Sequence, residues 1–293
     1  MHASKFLVII INFKTSHLIP DLISSIIEIE NEFSILIVDN ASTPETYNEL
    51  KSLNDDRVYI LPSEQNLGFT GGVNYALNYT MNNLHGFEYF FLINPDAFSS
   101  PNLISDLMKI LKLNKDAACI SPQILNSDGI PWYSGAAIDY LNGKVSTSVN
   151  IKPESTNKYF EVDAFCGCAV LFDFDKVIRA GMFNEDLFMY YDEADLSIKL
   201  KKMGNKILYT PAYTIYHDVS YTTKDITHLK TYYMTRNKFI VFNNSMSLKS
   251  KIYFMIHELA YHLKNRRIKN AIYHLKGFYD FVKGKKGAYG DVR

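Results

Sequence analysis

Four apolar, β-branched runs in the first hundred residues alternate with helix-patterned stretches, and this rhythm constrains the chain more than any other feature. Residues 6–11, 34–38, 58–61 and 89–93 are continuously apolar rather than alternating, as strands buried on both faces of a parallel sheet must be. Between them, a helix pattern runs from about Leu18 to Ile29 with Pro20 in its first turn, and a second opens at Thr43-Pro44-Glu45-Thr46 with Thr43 as its cap. A third follows a Gly-rich stretch, 66–74, and continues to about Asn82. Strand and helix alternating at this spacing predict βαβ units in a doubly wound sheet, whose ligands bind outside the carboxyl ends of the strands. The fourth run ends abruptly in Asn94-Pro95-Asp96, so a lone carboxylate is carried to such an end.

The second half is less regular. A helix is expected over 101–114, and 119–172 reads as strand-rich, with turns at Gly129-Ile130-Pro131, Leu141-Asn142-Gly143 and Lys152-Pro153. A helix over 193–204 ends at Gly204, residues 206–209 form a final core strand, and Tyr216-His217-Asp218 follows a strand. Beyond His217 the pattern turns helical and basic. From Lys249 to Lys286 there are ten basic residues against Glu258 and Asp280 alone, although the whole chain balances 31 basic against 31 acidic residues. That balance leaves no global field to recruit nucleic acid. Three cysteines, Cys119, Cys166 and Cys168, argue against a disulfide framework and for a reducing, cytoplasmic compartment. The apolar stretch after Met1–Lys5 is too short for a signal sequence, and no run reaches the roughly 18 apolar residues of a membrane span. Membrane contact, if made, is peripheral.

Taken in order, the motifs resemble the family 2 glycosyltransferases, and within them a rhamnosyltransferase-like branch, over roughly residues 5–243. The resemblance is carried by Val38-Asp39-Asn40-Ala41-Ser42, by 66–74, by Asn94-Pro95-Asp96, by Cys166-Gly167-Cys168 and the residues to Leu171, by 181–196 with its Tyr191-Asp192-Glu193-Ala194-Asp195, and by Tyr216-His217. It implies a GT-A fold: an α/β, Rossmann-like, mixed but mostly parallel sheet flanked by helices. The catalytic domain would span 1–245, with a nucleotide-binding half at 1–100 and an acceptor half at 101–245. A basic helical C-terminal segment would follow at 246–293.

The implied reaction is inverting, metal-dependent transfer of a sugar, foremost L-rhamnose from dTDP-rhamnose, to a saccharide acceptor in cell-surface polysaccharide synthesis. A UDP-hexose or UDP-galactofuranose is the alternative donor, and the resemblance implies a lipid-linked or saccharide acceptor. Expelling a diphosphate calls for a divalent cation, Mn²⁺ or Mg²⁺, and Asp96 with His217 are the ligands the resemblance implies. The family's usual first acidic position is here Asn94, which keeps a carbonyl for the donor but removes one charge. Asp39 would accept a hydrogen bond from the pyrimidine base, or else close an Asx turn, with the backbone around Asn12 lining the same pocket. Asn66, Gly68, Gly72 and Asn74 would lie under the donor's sugar and diphosphate, where helix N–H groups favour anions. Glu193 would take the acceptor's proton, with Asp192 the alternative because the family's Glu-Asp order is reversed here. Asp195 would support the helix N-terminus.

Several readings stay open at this level. Cys166 and Cys168 suit small core positions on a strand better than a zinc motif, and Gly167 could admit the acceptor. Trp132 and Tyr133 suit either sugar stacking or burial. Segment 246–286 suits either a peripheral contact with anionic lipid at the inner face of the cell membrane or a packed appendage. Asn94 and the Asp192-Glu193 order also admit a non-catalytic nucleotide-sugar or glycan-binding module. A dinucleotide oxidoreductase has only the βαβ rhythm in its favour and lacks the glycine fingerprint.

Overall fold

The protein is described by a computed structural model covering residues 5–26, 33–98, 102–148, 158–217 and 227–290. The four expected strands are β1 (Lys5–Asn12), β2 (Phe33–Asn40), β3 (Val58–Ser63) and β4 (Phe87–Ile93), and they pair in parallel in the order β3-β2-β1-β4. The connecting helices are α1 (Ile19–Ile26), α2 (Pro44–Lys51) and α3 (Gly68–Asn83). The α2 start forms as expected: Thr43 Oγ1 accepts the Thr46 N–H while Thr46 Oγ1 accepts the Thr43 N–H, and Pro44 follows where no donor is needed.

The second half extends the same sheet. Its elements are β5 (Ala97–Phe98), α4 (Leu103–Leu113), β6 (Ala117–Leu125), β7 (Pro131–Tyr133), β8 (Ala137–Asp139), β9 (Lys144–Ser146), β10 (Phe160–Val162), β11 (Ala169–Asp173), α5 (Phe174–Arg179), α6 (Asp192–Lys202) and β12 (Lys206–His217). β11 lies antiparallel between β4 and β6, and β12 runs parallel to β6. Since β11 opposes both neighbours, β6 and β12 point the same way as β1 to β4. The start of β11 therefore lies beside the carboxyl end of β4, with Ala169 paired to Ile93. β8 and β9 form the expected hairpin around Gly143.

Four local differences from the sequence expectation matter. β12 does not stop at 209: residues 211–213 bulge out at Pro211, and pairing with β6 resumes at Thr214. The continuation carries His217 to within the strand, where it pairs with Ala97 of β5, directly after Asp96. The Gly-rich stretch is not a loop ahead of a helix, because α3 begins at Gly68 and takes Gly71, Gly72 and Asn74 into its first turns. Cys166 and Cys168 precede β11 rather than lying on it. α5, capped by Asp173 accepting the Lys176 N–H at 3.1 Å, had no counterpart in the sequence reading. Residues 27–29, Pro101, Lys152-Pro153 and Asp218 lie outside the described residues.

Three helices close the chain: α7 (Thr227–Phe242), α8 (Leu248–Lys264) and α9 (Ile268–Val282). α9 lies so tightly along α7 that a Cβ on Gly277 would sit 2.6 Å from the Tyr232 carbonyl oxygen. The buried polar pairs Thr235–His274 at 2.8 Å and Tyr232–Asp280 at 3.0 Å stitch the two helices together. The boundary expected at 245 falls between α7 and α8, yet packing makes the three helices one unit that also touches the catalytic half.

Candidate active site

A cavity of about 320 Å³ opens over the carboxyl ends of β1, β2 and β4, at the point where the strand order turns back. Strand alternation decides which residues at these ends face it. On β1, Ile11 and then Phe13 line the cavity, whereas Asn12 between them points away. On β2, Asn40 lines it and Asp39 does not. Asp39 is buried and fully engaged: Oδ1 accepts from Asn12 at 2.7 Å, and Oδ2 accepts from Ser42 at 2.5 Å and Thr46 at 2.9 Å. Asp39 and the Asn12 side chain thus tie β1, β2 and α2 together just behind the wall, as an Asx turn would, while the backbone around Asn12 reaches the cavity through Ile11 and Phe13.

The α3 end divides in the same way. Asn66 and Gly68 line the cavity, but Gly72 is pressed against Ile11 and Asn40. Asn74 is spent on the far side, bonding the backbone of Phe183 in both directions and the Glu185 carboxylate. Because the helix starts early, these two positions have rotated out of the site. Its first N–H groups are occupied as well. Leu67 donates to Asn40, Gly68 to Asn66, and Phe69 and Thr70 to the carbonyl of Phe188, so no open anion cradle exists there.

Gly68 is where a glycine is required. Its φ is +70°, and a Cβ would lie 2.4 Å from the Phe188 oxygen. Gly68→Ala is expected to lower the melting temperature and to widen the cavity mouth. Thermal unfolding checks the first effect, and loss of nucleotide-induced stabilisation checks the second.

Asp96, His217 and Asn94 do come together. His217 Nε2 is 3.0 Å from Asp96 Oδ1, and the Asn94 amide is 3.4 Å from the same ring nitrogen. One nitrogen cannot both donate to Asp96 and accept from the Asn94 amide. His217 Nδ1 is buried with no partner among the described residues. Converging polar ends that one proton cannot satisfy, drawn from a carboxylate and an imidazole, fit a divalent cation that takes most of its shell from elsewhere. No group of three or more Cys, His, Asp or Glu side chains suited to a metal occurs among the described residues. Trp132 lines the cavity 5.2 Å from the His217 ring, while Tyr133 is buried and donates to the Ala164 carbonyl.

Asp192 and Glu193 open α6 and both line the same cavity. Burial raises both carboxyl pKa values. Asp192 is raised well above the usual range, because the charges of Glu193 and then Asp195 add to its burial. Glu193 is raised too, but N–H groups of its own backbone and of Gly167 favour its ionised form. Backbone N–H groups of Asp192 and Tyr190 likewise favour the ionised form of Asp192, so the two carboxyls titrate as a pair with both held above the usual range by burial. A Cβ on Gly167 would lie 3.2 Å from Glu193 Oε1, so the glycine packs directly against this carboxylate. Asp195 stays outside the cavity and pairs with Lys199 at 2.8 Å. Burial pushes the thiols of Cys166 and Cys168 up, which leaves them inert core groups.

Sequence reasoning missed a further part of the cavity wall. Phe188, Tyr190 and Tyr191 all have positive φ, from 65° to 67°, a strained path for three residues with side chains. Asn237 of α7 holds it, donating to the carbonyls of Leu187, Met189 and Tyr190 at 2.7–3.0 Å. Arg236, fully buried, donates to Asp186, Leu187 and Gly287. The same helix adds Leu229, Lys230 and Tyr233 to the lining. The one signal in the sequence is Thr235-Arg236-Asn237 amid aromatic residues, and α7 shows no apolar stripe to mark it as inward-facing.

Comparison with known proteins agrees with this geometry. Residues 7–179, more than half of the chain, match the family described as Glycosyl transferase family 2. The low-salt glycan biosynthesis hexosyltransferase Agl10 of Haloferax volcanii is 26% identical over 245 residues, which cover 82% of this chain and 76% of that one. The mannosyltransferase PcManGT from Pyrobaculum calidifontis, solved with GDP-Man and Mn²⁺, superposes with a TM-score of 0.58 at 13% identity, covering 96% of this chain and 88% of that one. GalNAc-T7, solved with UDP, GalNAc and Mn²⁺, gives 0.56 at 13% identity over 90% of this chain, which spans only 58% of that protein. These likenesses show the GT-A fold.

Proposed function

The chain belongs to glycosyltransferase family 2 and is a glycosyltransferase, and from that premise we propose that it transfers a hexose from a nucleoside-diphosphate donor to a saccharide acceptor with inversion, using Glu193 as the base. What carries this reading is convergence: Asp96, His217, Asp192 and Glu193 all line a single cavity.

In the proposed step the acceptor oxygen bonds to the anomeric carbon as the bond from that carbon to the phosphate oxygen breaks. The acceptor proton passes to Glu193, and the electron pair of the broken bond leaves with the diphosphate. Asp96 and His217 would hold a divalent cation, Mn²⁺ or Mg²⁺, which when bound neutralises the departing charge. Asn94 and Asn66 line the donor side of the cavity, and Gly167, which packs against Glu193, is the position at which the acceptor hydroxyl would approach that carboxylate. The donor proposed is dTDP-L-rhamnose, with UDP-hexoses and UDP-galactofuranose next. The acceptor is a growing surface glycan on a lipid carrier, in line with the glycan-synthesis relative.

The test is a thermal-shift panel of dTDP, UDP, GDP and CDP with and without Mn²⁺, followed by turnover assays with the matching sugar donors. A pyrimidine nucleotide should raise the melting temperature only with metal present, and Asp96→Ala should remove that dependence. Absence of hydrolysis or transfer from every dTDP- and UDP-sugar tried would overturn the reading, and metal-independent binding without turnover would favour a binding module.

A further inference from the structure

The two last helices carry more apolar surface than the fold uses. On α9, Ile268, Leu275 and Val282 recur every seven residues with Ile272 and Tyr279 between them, and all are exposed, from 47% at Leu275 to 62% at Val282. On α8, Leu248, Ile252, Ile256 and Leu263 form a second outward stripe, with Ile256 64% exposed. A helix of a globular domain normally turns such a stripe inward. Here the inward faces are already committed through other residues: His274, Gly277 and Asp280 are buried against α7, and His262 of α8 is buried too.

Charge identifies what would cover this surface. Lys269, Lys276 and Lys283 form another seven-residue column, one position beyond the apolar one. The ammonium groups of Lys276 and Lys283 each lie 5.7 Å from the Tyr279 ring, which puts cations and apolar stripe on one face. Asp280 is buried and already shared by Lys276 and Lys285, leaving Glu258 as the sole other acidic residue among ten basic ones from Lys249 to Lys286.

We propose that α8 and α9 form a docking face for an anionic lipid surface. The apolar stripes enter the boundary between headgroups and acyl chains, and the lysine column meets the headgroup charge. Among the described residues no helix is long and apolar enough to cross a membrane, so the helices lie in the surface plane. A second copy of the chain fits less well, because pairing this face with itself would bring lysine columns together. None of these residues lines the cavity, so this docking can fail while the catalytic reading stands, and the reverse.

The test is co-sedimentation of the full chain with vesicles of phosphatidylcholine alone or mixed with phosphatidylglycerol, at low and high salt. Binding is expected to rise roughly tenfold or more with the anionic lipid and to collapse in high salt. Ile272→Ser with Leu275→Ser, both exposed positions, should cut partitioning roughly tenfold with an unchanged melting temperature. Lys269→Glu with Lys283→Glu should do the same and also remove the salt dependence. Equal binding to both vesicle types, no binding, or a concentration-dependent dimer in sedimentation velocity that the serine variant dissolves would each overturn the proposal.

Discussion

Glu193→Gln should lower kcat by roughly 10²–10⁴-fold, the usual contribution of a positioned base, while nucleotide binding survives. The same variant should be more stable than the parent at neutral pH. Burial raises the Glu193 pKa above its unfolded value, so between the two values the folded state holds more protons than the unfolded one. Stability is therefore lost as pH rises through that window, whereas the base becomes ionised and turnover rises. Removing the charge separates the two effects. Denaturation curves at acidic and neutral pH should show a shallower pH dependence in the variant, with Asp192 supplying what remains. If Glu193→Gln retained turnover within about threefold while Asp192→Asn abolished it, the base would be Asp192.

Asn237→Ala is expected to damage both stability and catalysis without touching substrate. It strips the Met189 and Tyr190 carbonyls of their donor, while the Leu187 carbonyl keeps Arg236. A buried carbonyl without a partner costs about 1–3 kcal/mol, so a loss of about 2–5 kcal/mol is expected after partial rehydration. The loop it holds contains three residues at positive φ and leads directly into Asp192 and Glu193. A displacement of about 1 Å there is enough to lower kcat roughly 10²-fold. Urea unfolding and kcat measured at saturating donor check the two effects. A variant that unfolds normally and turns over normally would show that the loop sets its own path.

The sheet was legible because β1, β2 and the end of β4 are buried on both faces and announce themselves as apolar runs, while edge strand β3 kept its apolar run despite being partly exposed. The order β3-β2-β1-β4 and the placement of Asp96, Asp192, Glu193 and His217 around one cavity follow from that legibility and from the family resemblance. The expected site residues that do not line the cavity share a physical reason. Asp39 and Asn40, like Asn12 and its neighbours, differ by one position on a strand, and period-two alternation sends them to opposite sides. Polarity alone does not say which one faces the ligand. Gly72 and Asn74 lie outside it because the helix starts two residues beyond Asn66, not after the glycines. Arg236 and Asn237 were invisible for another reason: a buried polar clamp is defined by the carbonyls it meets, and those lie about fifty residues away in sequence.

That distance has a consequence for biosynthesis. The Gly287 N–H donates to the Asp186 carbonyl, and Arg236 bridges the Gly287 carbonyl to the same loop. Chains emerge from the ribosome N-terminus first, so the sheet and the cavity lining are made well before the last of these ties exists. A nascent chain halted just short of residue 287 would hold its strands and the Asn237 bonds, and would lack the outer ties of residue 287 to Asp186 and Arg236.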